Sequence, residues 1–446
     1  MTAPRRVWIA VAIYALVYFV LGADRYAIYR SGADLGVFTQ SIASVFRGFS
    51  NTLEGGSHFT FHFSPILYLC APLLLALHSP LALVAIQSSA CALIAPPLYV
   101  LARRRMPENL AFGVVLVALL YPPLAGVTFT EFHEIGFAPA TILWLLWALD
   151  ARRWGLAALF AGLALGIKED QGPILAFAGA FGVVYYLRAR DRTGALFSAA
   201  LGLSAIAVFI LFFTFVRPLA GATDAWHPLH FYAWDRVIDS RGTTPWWSIG
   251  RPAYFLEALV PLAFACVFSP MFVLALPGFA ECLLSHESLA YTMGQHYAGA
   301  WIPYVLAAFA FGVARIYARR PRTAAILVRA AIGLCIAVLL FASPTHWGHF
   351  LGLRTAHHAA LDRVLAKLPP DMEVGTHDEL YAHLGFDPNA SIGLSRNPRY
   401  ALFDRTYVSA AWVNEVRPAL QRGLATGRYR LISSDDGVEL YERFGP

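Results

Sequence analysis

The sequence predicts an all-α polytopic membrane protein of about eleven transmembrane helices, followed by a small C-terminal α/β domain. Three observations carry that reading. Of 446 residues, 58% are hydrophobic and 14% charged, with a mean hydropathy of +0.55, whereas soluble domains carry about a quarter charged residues. Apolar stretches long enough to cross hydrocarbon recur from Val7 to Ala342, and after Ser343 charged residues, Gly and Pro interrupt every apolar run. In lipid each backbone amide must be satisfied within its own segment, so continuous apolar runs imply helices; a closed barrel would need alternating strands.

The predicted spans are 7–22, 81–102, 110–127, 136–149, 154–167, 172–187, 195–216, 253–267, 271–284, 300–314 and 323–342. Arg5-Arg6 before the first of them reads as an uncleaved signal-anchor, because no small-x-small cleavage site follows and the run is long enough to span. The run 63–77 is the exception. It has about fifteen residues where about twenty are needed, and Pro65 and Pro72 interrupt it. Arginine placement settles its status. With 63–77 lying at the interface, five basic groups fall in the cytoplasm: Arg5-Arg6, Arg103-Arg104-Arg105, Arg152-Arg153, Arg188/Arg190/Arg192 and Arg315/Arg319/Arg320/Arg322. With 63–77 crossing, the last four groups move outside, against the positive-inside rule. The first count gives a cytoplasmic N-terminus and an extracytoplasmic C-terminal domain.

The formal charge of +6 is mostly arginine, since Lys168 and Lys367 are the only lysines. Such an excess fits cytoplasmic loops against anionic lipid and not nucleic-acid binding. The five cysteines all sit in apolar runs without a CxxC pair, so neither a disulfide framework nor a thiol metal site is indicated. Residues 1–344 therefore read as the membrane domain and 345–446 as a soluble domain. Its predicted strands are Glu373-Val374-Gly375, Tyr400–Phe403, Tyr429–Ser433 and Gly437–Tyr441, the last two joined by an Asp435-Asp436-Gly437 turn. Its predicted helices are Ala356–Leu368, stopped by Pro369-Pro370, and Val413–Ala425.

This topology gathers reactive groups on the outer face. Asp34 opens an amphipathic stretch, Leu35 to Phe46, expected to lie on the membrane surface; the residue reads either as a helix N-cap or as a general base at a cavity mouth. His58 and His62, four apart in Ser57-His58-Phe59-Thr60-Phe61-His62, have the spacing of zinc ligands or of ordinary interfacial histidines. Glu131, His133 and Glu134 crowd a link of about eight residues between spans, where ionisable groups face a cavity or a partner. The link reads as a solvated turn, a cation site or an acceptor-positioning group. Lys168 stands in the tight turn Gly166–Pro173 after a short span; its ammonium either holds a phosphate oxygen or is neutralised by Glu169 and Asp170. The 217–252 loop combines Arg217, Arg236 and Arg241 with four tryptophans, which suits phosphate and sugar contact and equally an aromatic belt. His286, Glu287, Gln295 and His296 in the 285–299 loop are open to the same two readings.

Asp34-Leu35-Gly36-Val37-Phe38, His62-Phe63-Ser64-Pro65, Glu131-Phe132-His133-Glu134 and Lys168-Glu169-Asp170 follow one another in order, with Leu402-Phe403-Asp404-Arg405 near the end. This set resembles the bacterial multi-pass family known as domain of unknown function twenty seventy-nine. More broadly it is similar to the GT-C superfamily of polytopic glycosyltransferases, such as protein mannosyltransferases and aminoarabinose transferases. That resemblance implies interfacial helices in the first external loop (35–47 and 63–77), Asp34 as the early acidic residue, and Glu131 or Glu134 as the second. It implies transfer of a sugar from a polyprenyl-phosphate donor, at the outer face of the inner membrane, to an acceptor it does not name. Asp34, Glu131, His133 and Glu134 would then be catalytic, and Lys168, Arg217, Arg236 and Arg241 would hold the donor phosphate. A divalent metal ion is the one cofactor it brings into question, because no Asp-x-Asp or Glu-x-Asp motif is present. The alternatives are a transporter or lipid flippase using the same charges as a pathway, and a non-catalytic envelope assembly protein.

Overall fold

The architecture is taken from a computed structural model, which describes residues 3–223, 248–407, 409 and 412–444. Among these, four helices are long and apolar enough to cross a membrane: Arg5–Ala27, Leu81–Arg103, Arg192–Leu219 and Pro321–Phe341. A fifth candidate is the pair Glu108–Leu119 and Pro122–Phe129, bent by 48°. The bend follows from Pro122-Pro123, which remove two amide donors and crowd the preceding turn. Most of the other expected spans are shorter helices, including Ala138–Asp150, Trp154–Leu165, Gln171–Arg188, Pro270–Leu284 and Ile302–Tyr317. Between Val260 and Ala275 prolines and left-handed residues break the 253–284 region into 3-10 turns. The first helix leaves Ile13, Leu16 and Val20 about half exposed or more, Leu16 by 62%. Such an apolar outer face suits lipid. Helices Gln171–Arg188 and Arg192–Leu211 approach through Gly179, whose missing Cβ would meet the Gly202 backbone at 2.7 Å.

The 63–77 run forms a 3-10 segment, Pro65–Leu69, and a helix, Ala71–Leu77. The helix is roughly 10 Å long, too short to cross. The Leu35–Phe46 stretch differs from the surface helix expected. It is a helix over Ala33–Ala43 whose residues Leu35 to Ile42 are all buried, because the C-terminal domain covers the face that solvent would otherwise meet. Its N-cap is Gly32, which overturns the N-cap reading of Asp34. A small ribbon follows, β1 (Ser50–Asn51) paired with β2 (Gly56–Ser57).

The C-terminal region carries β3 (Val374–Thr376), β4 (Ala390–Ile392), β5 (Tyr400–Asp404), β6 (Tyr429–Asp435) and β7 (Val438–Arg443). The sheet order is β4-β3-β5-β7-β6, with β3 parallel to β4 and β5, and β7 antiparallel to β5 and β6. The β6–β7 turn places Asp436 and Gly437 at φ 48° and 83°, as a type I′ hairpin requires. Helices Ala356–Leu365 and Arg417–Ala425 flank the sheet. Three devices dock this region on the Ala33–Ala43 helix and its approach. Gly36 and Gly385 admit Tyr381 and Thr39 where a Cβ would clash, at 2.6 and 2.7 Å. Gln40 donates to the carbonyls of Asp387 (2.6 Å) and Ala390 (3.3 Å) and accepts from Thr52 N (2.6 Å) and the Tyr381 hydroxyl (2.8 Å). His383 is stacked between Tyr26 and Tyr29, 4.0 and 3.9 Å from their rings.

Candidate functional site

A cavity of about 430 Å³ opens where the Ala33–Ala43 helix, the 54–62 segment, the 133–134 link, the Lys168 turn and the 281–297 region meet. Asp34, His58, His62, His133, Glu134 and Lys168 all line it. Six residues singled out in the sequence, scattered over more than a hundred positions, are therefore brought together. A second cavity of similar volume, at the Arg105–Asp150 end of the helices, is lined by aliphatic and aromatic side chains with Arg105, Asp150, Arg152 and Arg315, and holds none of those six.

Asp34 sits in the first turn of its helix, half accessible to the cavity, with His133 Nε2 3.3 Å from its carboxylate. Gln87 fixes the opposing link. Its side-chain oxygen accepts from His133 N at 2.8 Å, and its amide donates to the Val127 and Thr128 carbonyls at 3.1 and 3.3 Å. His133 Nδ1 donates to the Glu131 carbonyl at 2.9 Å, which leaves Nε2 facing Asp34. Burial pushes the Asp34 carboxyl up, but the His133 imidazolium, with Arg25 and His62 beyond it, outweighs burial and holds it below the ordinary value. Burial likewise works against charge on His133, and Asp34 outweighs it, so its net shift is upward. His296 stacks on His133 with ring centroids 3.5 Å apart; burial first, then the charge on His133, push it well down. Of the two stacked rings, His133 is the one whose surroundings favour a proton.

Glu131 does not join the group. It forms a buried ion pair with Arg25, which also donates to the Arg30 and Phe129 carbonyls at 2.8 and 2.9 Å, and it lies behind the cavity wall. Glu134 is buried in the cavity lining, and its Oε2 has no hydrogen-bond partner among the described residues. Lys168 Nζ is 3.3 Å from Asp170, so part of its charge is neutralised within the turn. Glu169 turns away from it, accepting from His62 Nδ1 (3.0 Å) and Phe63 N (2.8 Å). Arg217 donates through Nε to the Thr60 carbonyl at 2.9 Å and does not line the cavity. Arg236 and Arg241 lie outside the described residues.

His58 contacts both oxygens of Glu54 through Nδ1 at 3.0 Å, leaving a buried Nε2 without a partner among the described residues. Burial opposes its protonation, and Glu54 outweighs burial to raise it. A carboxylate behind each of His58 and His62 is the outer-shell arrangement of metal-binding histidines. Yet among the described residues no three His, Cys, Asp or Glu side chains converge closely enough to hold an ion. The described residues as folded do not complete a metal centre. What the cavity offers is an accessible carboxylate held toward its ionised form, an imidazole shifted toward protonation beside it, an ammonium, and polar atoms for hydroxyl groups. Glu54, Gln87 and Glu281 belong to this site without any signal in the sequence, because each is an isolated polar residue in an ordinary context.

A family model described as "Predicted membrane protein (DUF2079)" matches residues 25–440. The chain belongs to the DUF2079 family. No curated protein matches its sequence. Solved structures that resemble this DUF2079 chain in fold include two of ArnT. ArnT from Cupriavidus metallidurans bound to undecaprenyl phosphate matches with a TM-score of 0.65 at 13% identity, covering 100% of both chains. The same protein in the apo state gives 0.62 at 13% identity, covering 98% of this chain and 99% of that one. The DUF2079 member is thus a membrane protein with a GT-C-like fold.

Proposed function

We propose that this protein transfers a sugar from a polyprenyl-phosphate donor to a hydroxyl of an acceptor, at the extracytoplasmic face of the inner membrane. The observation that carries the reading is the Asp34–His133 pair opening on a cavity that also holds Lys168. The fold shared with a structure holding undecaprenyl phosphate supports the donor class.

In this reading the Asp34 carboxylate takes the proton of the acceptor hydroxyl as its oxygen bonds to the anomeric carbon. The bond from that carbon to the phosphate oxygen breaks, and polyprenyl phosphate departs with the electron pair. Lys168 meets the charge that develops on the leaving phosphate. His133 keeps Asp34 ionised and oriented, and Glu134 accepts hydrogen bonds from substrate hydroxyls. Glu131 acts at one remove, with Arg25, by holding the 130–134 link. Arg217 supports the His58–His62 segment, and Arg236 and Arg241 are the further phosphate candidates. A general base of this kind supplies about 10²–10⁴-fold of rate.

The test is turnover of radiolabelled polyprenyl-phosphate sugars by the purified protein. Loss of transfer in Asp34→Asn with the fold intact is expected; unchanged turnover refutes the base assignment. Single cysteines at Arg104 and Ser57, probed with an impermeant maleimide on whole cells, test the sidedness. Labelling of the Ser57 position alone is expected, and equal labelling overturns it.

A further inference from the structure

A second polar recess lies on the far side of the β1–β2 ribbon. It is a cleft of about 320 Å³ between that ribbon and the C-terminal domain, with Arg47, Ser50, Thr52 and Gly55 on one wall and Arg396 on the other. Its charge is opposite in character to that of the Asp34 cavity. No Asp or Glu lines it, whereas Asp34, Glu54, Glu134, Glu281 and Glu287 line its neighbour.

The two arginines arrive from distant parts of the chain. Arg396 is anchored by one N–H, donated from Nη2 to the Thr52 carbonyl at 2.9 Å, and its other donors have no partner among the described residues. Arg47 makes no side-chain hydrogen bond or ion pair among the described residues. Two uncompensated guanidinium groups on one cleft are a fitting receptor for a phosphate or carboxylate, whose oxygens they can fork. The wall between them is open. Gly55, at φ +76°, and Gly56 have nothing within 4 Å of where a Cβ would stand, so a ligand can approach their backbone. The ribbon also ties cleft to cavity: Asn51 lines the cleft and donates at 2.5 Å to Glu54, which lines the cavity and holds His58.

We propose that this cleft binds the anionic group of a saccharide acceptor, a phosphate or carboxylate, while its hydroxyl-bearing end reaches over the ribbon to Asp34. The word acceptor rests on the transferase reading; the anion site does not. The C-terminal domain thereby becomes half of a specificity site, contributing Arg396 against the first loop's Arg47.

The experiment is ligand-observed NMR on the full-length protein in neutral detergent, with glucose 1-phosphate, glucuronate and glucose as probes. The two anions are expected to bind at least about tenfold more tightly than glucose, and to weaken as salt screens the charges. Arg47→Ala removes an exposed side chain without partners, so it folds, and it is expected to cost about tenfold in glucose 1-phosphate affinity. The Arg47→Ala/Arg396→Ala double variant is expected to lose the anion preference. Equal binding of glucose and glucose 1-phosphate, or native affinity in Arg47→Ala, overturns the proposal. Displacement of the sugar phosphate by phosphatidylglycerol nanodiscs overturns the saccharide and assigns the site to a lipid headgroup. Absence of sugar transfer leaves these binding outcomes unchanged, so the two readings fail separately.

Discussion

Replacing Gly36 with alanine sets two effects of opposite sign against each other. In an isolated helix the change stabilises by about 1 kcal/mol, because alanine loses less backbone freedom on folding. At this position the new Cβ would stand 2.6 Å from Tyr381 Cδ1 and 2.9 Å from both Cε1 and the Tyr381 carbonyl oxygen. Carbon atoms prefer about 3.5–4.0 Å, so the shortfall is roughly 1 Å. Tyr381 cannot swing aside, since its ring is fully buried and its hydroxyl is tied to Gln40 (2.8 Å) and Thr52 (3.2 Å). Overpacking of this size costs about 1–3 kcal/mol, and any shift of the domain also strains the Gln40 hydrogen bonds. Subtracting the helix gain leaves a net loss of up to about 2 kcal/mol in docking. Each 1.4 kcal/mol is about tenfold in the undocking equilibrium. Limited proteolysis in detergent should therefore cut the C-terminal region about tenfold faster, and the thermal midpoint should fall. Gly333→Ala, where nothing lies within 4 Å, is the control and should show neither change. A midpoint in Gly36→Ala at or above the native one, with unchanged proteolysis, refutes the reasoning.

Asp34→Asn should lower transfer by about a hundredfold or more while leaving the thermal midpoint in place. With its partner neutral, His133 should release its proton at lower pH than in the native protein, read by NMR titration of the ring. Glu131→Gln should behave differently, because it leaves Arg25 buried beside a neutral group at a cost of about 3–5 kcal/mol. A depressed midpoint that Arg25→Met partly restores in the double variant marks a structural pair; a normal midpoint with lost turnover would instead make Glu131 catalytic. Burial pushes Glu379 up to about 7, with Arg30 at 3.6 Å pulling the other way. Between its unfolded value of about 4.3 and 7 the folded state keeps a proton that the unfolded state has lost. Stability should thus fall as pH rises through that window and level off above it. Glu379→Gln should flatten the slope and raise the midpoint above pH 7, and an unchanged slope in thermal scans would count against it.

The apolar helices and the lack of one long helix over 63–77 were legible because both are one-dimensional quantities, transfer free energy per residue and the length of an uninterrupted run. The Asp436-Gly437 turn was legible because its dihedral angles demand those residue types. Partner choice was not. Nothing near Glu131 in sequence says that Arg25, on the first helix, neutralises it, nor that Glu169 faces His62 and leaves Lys168 to Asp170. The Ala33–Ala43 helix misled for the same reason. Its pattern of Leu35, Val37, Phe38 and Ile42 looks amphipathic, but Thr39, Gln40 and Ser41 are buried as well, the first two against a region more than three hundred residues away in sequence. Hydropathy records how much a face dislikes water, and a polar face covered by a second domain looks the same as one left wet.

Gly36 receiving Tyr381 and Gly385 receiving Thr39 form a reciprocal pair, each side supplying one gap and one filler. The two surfaces therefore work as a matched lock, in which neither half can change its bulk alone. A chimaera that grafts the C-terminal domain of another family member onto this membrane body should assemble only when both halves of the lock travel together. For anyone redirecting such a protein to a new acceptor, the transplantable unit is thus the C-terminal domain plus residues 33–57, carrying Arg47 and Arg396 with it.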